Sequence, residues 1–106
     1  MWIVELLDQT VASELSALPT DMRARFQRIV ALIQTQGLER VREPHVKRVE
    51  GPIWEMRLTG RDGIARALYL AARGRRVVVV RVFVKKTQKT PRGEIEIALA
   101  RAKEVR

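Results

Sequence analysis

The chain has 106 residues, 46% hydrophobic and 31% charged, which suits one domain spanning residues 1–106 with a modest core and excludes disordered and collagen-like classes. With no cysteine and a single histidine, His45, disulfides, thiolate metal sites and histidine-clustered metal sites are excluded, and no metal or cofactor is expected. Twenty-one Lys and Arg against twelve Asp and Glu leave a formal charge of +9, a surplus typical of a polyanion binder.

Trp2 to Leu7 reads as a short first strand, and Thr10 to Leu18 as a short helix stopped by Pro19, because the residue before a proline avoids helical angles. Thr20 suits an N-cap. From Asp21 to Gln36, the positions Met22, Phe26, Ile29, Val30 and Ile33 form one helical stripe that Gly37 ends. Leu38 to Gly51 is polar and strongly charged and reads as a loop. Three strands follow, Ile53 to Thr59, Ile64 to Ala72 and Arg75 to Val84, joined by turns at Gly60-Arg61-Asp62-Gly63 and Arg73-Gly74. Thr90 and Pro91 suit the N-cap and first residue of a last helix, whose stripe is Ile95, Ala98, Leu99 and Ala102. The fold class is α+β in the order β-α-α-β-β-β-α, with an antiparallel sheet packed by helices.

The charge is placed unevenly. Residues 1–39 carry three basic and five acidic side chains, residues 40–92 carry fifteen and four, and the remainder cancels. A surplus confined to one segment is the footprint of nucleic-acid binding, since each neutralised phosphate releases condensed counterions. A membrane-surface protein would instead carry its charge on an amphipathic helix. No apolar run approaches the roughly 20 residues that span a bilayer, and Met1-Trp2-Ile3-Val4-Glu5 lacks a basic segment ahead of an apolar one. A cytoplasmic protein is expected.

Alternation puts Trp54, Met56 and Leu58 on one face of their strand and Glu55 and Arg57 on the other; Arg66 goes with Leu68 and Leu70, and Lys86 continues the face of Val80, Val82 and Val84. Arg57, Arg66 and the Lys85-Lys86 pair then line one open margin of the sheet. Arg81, inside the most apolar strand, needs a carboxylate such as Glu55, an exit at a sheet edge, or a place in the site. The patch Lys85-Lys86-Thr87-Gln88-Lys89, between a rigid strand and a helix start, reads as a placed anion site. Its competitor is a solvated loop.

The pieces Pro52-Ile53-Trp54-Glu55-Met56-Arg57-Leu58, Arg66-Ala67-Leu68-Tyr69 and Val82-Phe83-Val84-Lys85-Lys86-Thr87-Gln88-Lys89-Thr90-Pro91 resemble the RelE/ParE toxin superfamily, most of all its HigB-like, phage-derived branch. The resemblance implies the toxin of a type II toxin-antitoxin pair. It implies a metal-independent, ribosome-dependent mRNA endoribonuclease, with a ParE-like inhibitor of DNA gyrase or a non-catalytic nucleic-acid-binding module as the alternatives. The implied partners are a cognate antitoxin of helix-turn-helix type and mRNA on the ribosome, and no membrane.

By the same resemblance, Arg66 and Lys86 fall where the scissile phosphate is held, with Arg57 and Lys85 as flanking catalytic donors. Lys47, Arg48, Tyr69 and Lys89 are implied RNA contacts. Family ribonucleases often place a tyrosine or histidine after the cationic strand end, where this chain has Thr87, Gln88, Thr90 and Arg92. Tyr69 reads more readily as a packed residue than a catalyst, and His45 as an exposed loop residue. A lysine acting as base needs a lowered pKa, which mutual repulsion of Lys85 and Lys86 would supply.

Overall fold

Apolar stripes of period 3.6 and 2 become three helices and five strands among the residues that the computed structural model describes, 1–86 and 89–106. In chain order these are β1 (Ile3–Leu6), α1 (Gln9–Ser16), α2 (Thr20–Gln36), β2 (Val46–Glu50), β3 (Ile53–Gly60), β4 (Gly63–Ala72), β5 (Arg76–Lys85) and α3 (Arg92–Ala102). Thr87 and Gln88 of the cationic patch lie outside the described residues.

The sheet order is β1-β5-β4-β3-β2. β2 to β5 form an antiparallel meander, while β1 runs parallel to β5, pairing Ile3 with Arg76 through Leu6 with Val79. The sheet is therefore mixed. Parallel neighbours need a long connection, and here both the helical pair and the meander lie between them. Part of the expected loop is also strand: β2 pairs Val46 with Met56 and Lys47 with Glu55. Its charged side chains hid it, because an edge strand with one solvated side carries lysine and arginine without penalty.

Two cores sit on the two faces. One face packs Met56, Leu58, Ala65, Ala67, Tyr69, Val77, Val79 and Val82 against Val11 of α1 and Met22, Phe26, Ile29 and Ile33 of α2. The other packs Ile53, Leu68, Leu70, Val78, Val80 and Phe83 beneath Ala98 of α3. Capping differs from expectation at the starts of α2 and α3. Asp8 caps α1, its Oδ1 accepting from Val11 N at 3.1 Å. Pro19 and Pro91 occupy the N-cap positions of α2 and α3, so Thr20 is already helical and the Thr90 side chain is released for another task.

The α2 start and the β3–β4 turn are locked together. Asp21 Oδ2 accepts from Arg61 N at 2.6 Å, and a Cβ on Gly60 would lie 2.8 Å from Met22 Cγ and 2.9 Å from that same Oδ2. Gly60→Ala is therefore expected to cost about 1–3 kcal/mol through overpacking. Urea unfolding at constant m-value would register it as a lower midpoint.

Candidate anion site

One irregularity decides which lysine meets which arginine. Leu68 pairs with Arg81 but Tyr69 pairs with Val79, so β5 carries one extra residue at Val80. A bulge of this kind reverses the inside-outside parity of everything beyond it. Val80, Phe83 and Lys85 consequently share the α3 face, whereas Val82 goes to the opposite core. The expectation that Lys86 continues the face of Val80 and Val82 fails for this reason. Lys85 is 8% exposed and lines the site; Lys86 is exposed beyond the strand end and does not.

Clamping of the bulge also answers the question posed by Arg81. Its Nη1 donates to Glu14 Oε2 of α1 at 2.7 Å, and its Nε to Glu94 Oε1 of α3 at 2.6 Å. Glu14 in turn accepts from Val82 N at 3.0 Å and from Arg101 Nη1 at 2.9 Å. Bonds from Glu94 above all, and then from Glu14, raise the Arg81 pKa against its burial. Arg81 is a structural cation with two carboxylates, and Glu55 is not one of them.

Glu55 belongs to Arg66. The two side chains are about 95% buried, with Arg66 Nη1 2.9 Å from Glu55 Oε2. The guanidinium is not aligned as a fork: among the described residues, neither its Nε nor its Nη1 has a partner in hydrogen-bonding geometry. The other carboxylate oxygen, Oε1, accepts from the Thr90 hydroxyl, tying the start of α3 to the sheet.

Around this pair a cavity of about 330 Å³ opens beside the N-terminal end of α3. Arg57, Arg66 and Lys85 rise from β3, β4 and β5, Lys47 and Arg48 from β2, and Lys89, Thr90 and Ile95 close it. Arg57 stands directly across the ladder from Arg66, a like-charge pair that works against the sheet. Burial first, and then Arg57, push the Arg66 pKa down, while Glu55 opposes them. Burial again leads in lowering Lys85, followed by Arg66, with Arg57 and Lys47 adding to it against Glu55. The neighbour invoked from sequence, Lys86, has no part in that shift.

A lysine whose charge is less favoured in the fold than in the unfolded chain makes stability rise with pH from its lowered pKa up to the ordinary 10.5. Lys85→Met should therefore raise the melting temperature at pH 7 and flatten that rise. Calorimetry across pH would show the opposite, a loss, if Lys85 served the fold.

The site thus gathers six expected residues, Arg57, Arg66, Lys85, Lys47, Arg48 and Lys89. Tyr69 is not among them. It is 2% exposed in the α1–α2 core, where burial raises its pKa. His45 is half-buried at the head of β2, its carbonyl accepting from Arg57 N. Sequence reasoning missed Glu55 as the partner of Arg66 and Thr90 as the second donor to Glu55; alternation alone put Glu55 on the face of Arg57, which was the available signal. Among the described residues no group of three or more His, Cys, Asp or Glu could hold a metal ion, and no helix is long and apolar enough to cross a membrane.

Residues 13–103 match the family described as "Phage derived protein Gp49-like". No curated protein matches the sequence. Among solved structures the fold is similar to the archaeal RelE-RelB complex from Pyrococcus horikoshii OT3, with a TM-score of 0.60 and 18% identity over 78% of this chain and 93% of the other.

Proposed function

The chain belongs to the Gp49-like family of phage-derived proteins and has a RelE-like fold, and from that premise we propose that it is the toxin of a toxin-antitoxin pair, acting as a metal-independent endoribonuclease on mRNA in the ribosome. The observation that carries this reading is the Arg66 guanidinium, buried at the wall of a cationic cavity with its Nε unmatched and its Nη1 ion-paired to Glu55 outside hydrogen-bonding geometry. An unmatched buried donor is costly unless a ligand completes it. A phosphoryl group does so: it offers acceptors to Arg66 and negative charge to Arg57 and Lys85.

In RNA cleavage the 2′-hydroxyl gives up its proton, its oxygen bonds to the adjacent phosphorus, and the bond from phosphorus to the 5′-oxygen breaks as that oxygen takes a proton. Arg66 and Arg57 hold the non-bridging oxygens as charge builds on them. Lys85, its pKa lowered, is the residue suited to take the 2′-proton in its neutral form and return it to the 5′-oxygen. Glu55 is a positioning residue that orients Arg66. Lys47, Arg48 and Lys89 hold flanking phosphates, and Lys86 adds charge beyond the strand end. Cleavage then accelerates as pH rises through the lowered Lys85 pKa.

The test is induction of the wild-type chain and of Lys85→Ala and Arg66→Ala variants in bacteria, with mapping of new RNA 5′ ends on translated and untranslated messages. Cuts confined to translated RNA and lost in both variants support the reading. Growth arrest without cuts transfers the target to a protein such as gyrase.

A further inference from the structure

The chain has two tryptophans, and both line one space, a groove of about 750 Å³ bordered by Leu38, Val41, Val46 and Tyr69. It opens on the α2 side of the sheet, where Val41, Val46 and Tyr69 join the core beneath that helix. Trp54 is 39% exposed, high for the side chain with the most apolar surface to bury. Tyr69 is the reverse case. It is 2% exposed, yet among the described residues no hydrogen bond reaches its hydroxyl, and burial alone raises its pKa. A buried hydroxyl is ordinarily matched, so this one is left for whatever enters the groove.

Lys47 and Arg48 of β2, the outermost strand, line both this groove and the anion cavity. Across the ladder Lys47 stands opposite Glu55, on the cavity side, and Arg48 opposite Trp54, on the groove side. A phosphate chain held in the cavity therefore finds cations leading over β2 to the indoles. The groove itself does not recruit phosphate, because its lining is mainly apolar and the exposed carboxylates of Glu39 and Glu43 border it. It suits a planar ring with N–H donors on its edge: indole faces take the ring, and the carboxylates and the Tyr69 hydroxyl take the edge.

We propose that this groove is a base-binding subsite, taking one unstacked purine of the RNA whose phosphate sits at Arg66, with Trp54 as the stacking residue. The proposal rests on the nuclease reading and adds the place where a sequence preference arises. Continuity selects the occupant: a free nucleotide would meet the indoles without using the cavity, whereas an RNA chain engages both through Lys47 and Arg48. A purine covers more of an indole than a pyrimidine does, and base stacking on an aromatic side chain is worth about tenfold or more in affinity.

Intrinsic fluorescence tests this directly, since both tryptophans border the groove. The purified full chain is titrated with a short purine RNA blocked against cleavage by 2′-O-methyl groups, with the same RNA made abasic at one position at a time, and with AMP and GMP. The expected result is saturable quenching whose affinity falls about tenfold or more at one abasic position and little at the others. Trp54→Phe should bind like the wild type and Trp54→Leu about tenfold or more weaker, which separates stacking from a fault in folding. Lys47→Ala should weaken all the RNAs alike and lower the dependence on salt. Absence of quenching, equal affinity for every abasic RNA, or wild-type binding by Trp54→Leu overturns the proposal. Mononucleotides that match the full RNA overturn it too, making the groove a free-nucleotide site. Failure of the nuclease reading shows separately, as no cuts on induction of the wild type. Where cuts occur, a purine preference at one fixed offset from the new 5′ ends should vanish in Trp54→Leu while cutting continues, and an unchanged preference overturns the subsite but leaves the nuclease.

Discussion

Replacing Arg66 with alanine is expected to abolish cleavage and to weaken the fold at the same time. Loss of one donor to the developing phosphoryl charge typically lowers a rate by about 10²–10³. The same change removes the ion-pair partner of Glu55, 5% exposed as a side chain, and leaves the Thr90 hydroxyl and the attraction of Lys85 to hold it. Stranding a buried charge costs about 3–5 kcal/mol, a large share of the 5–15 kcal/mol that stabilises an ordinary domain. Activity and stability are separated by a second variant, Glu55→Leu with Arg66→Met, which removes both charges. It should melt near the wild type yet cut no RNA. If it cut RNA normally, Arg66 would be a structural cation like Arg81.

Glu14→Ala should cause the second large effect, although Glu14 touches nothing in the cavity. Its carboxylate receives Arg81, Arg101 and Val82 N, and so joins α1, the bulge and α3 at one point. The side chains of Glu14, Arg81 and Arg101 keep 14–21% exposure, so the loss should be about 2–3 kcal/mol, below that of a fully buried pair. Hydrogen exchange at Val82 should accelerate as the clamp on the bulge is released, and cleavage should fall because Lys85 loses its fixed side. Glu5→Ala is the control: Glu5 and Arg76 are 39% and 31% exposed, where ion pairs contribute about 0–1 kcal/mol.

The helices and the three long strands were legible because their cores demand it. Met22, Phe26, Ile29 and Ile33 repeat along one stripe, and Met56 and Leu58 alternate with Glu55 and Arg57; a buried face leaves that periodicity in any sequence. β2 was not legible, because Lys47 and Arg48 sit on an edge where nothing forces an apolar pattern. The parallel docking of β1 was also hidden, since Ile3 to Leu6 reads alike against either neighbour direction. For the site, alternation correctly grouped Arg66 with Leu68 and Leu70, and separately Glu55 with Arg57. It failed at Lys85 and Lys86, because the extra residue at Val80 carries no sequence mark of its own: valine precedes it and arginine follows, and both suit a regular strand. Tyr69 misled for a related reason, adjacent in sequence to Leu68 but on the other side of the sheet.

The alternation of β5 between that bulge and Lys85 makes the chemistry of the chain vulnerable to the smallest possible lesion in its gene. Loss of the three bases encoding Val84, a paired residue opposite Ala65, would delete no charged residue and would leave Arg57, Arg66, Lys85 and Lys86 all spelled out in order. It would nevertheless turn Lys85 toward the helical pair and bring Lys86 round to face Arg66, exchanging a lysine screened from water for one at the end of a strand. Decayed copies and working ones can therefore share every functional letter, and the frame in which β5 is counted, more than the inventory of basic residues, separates them.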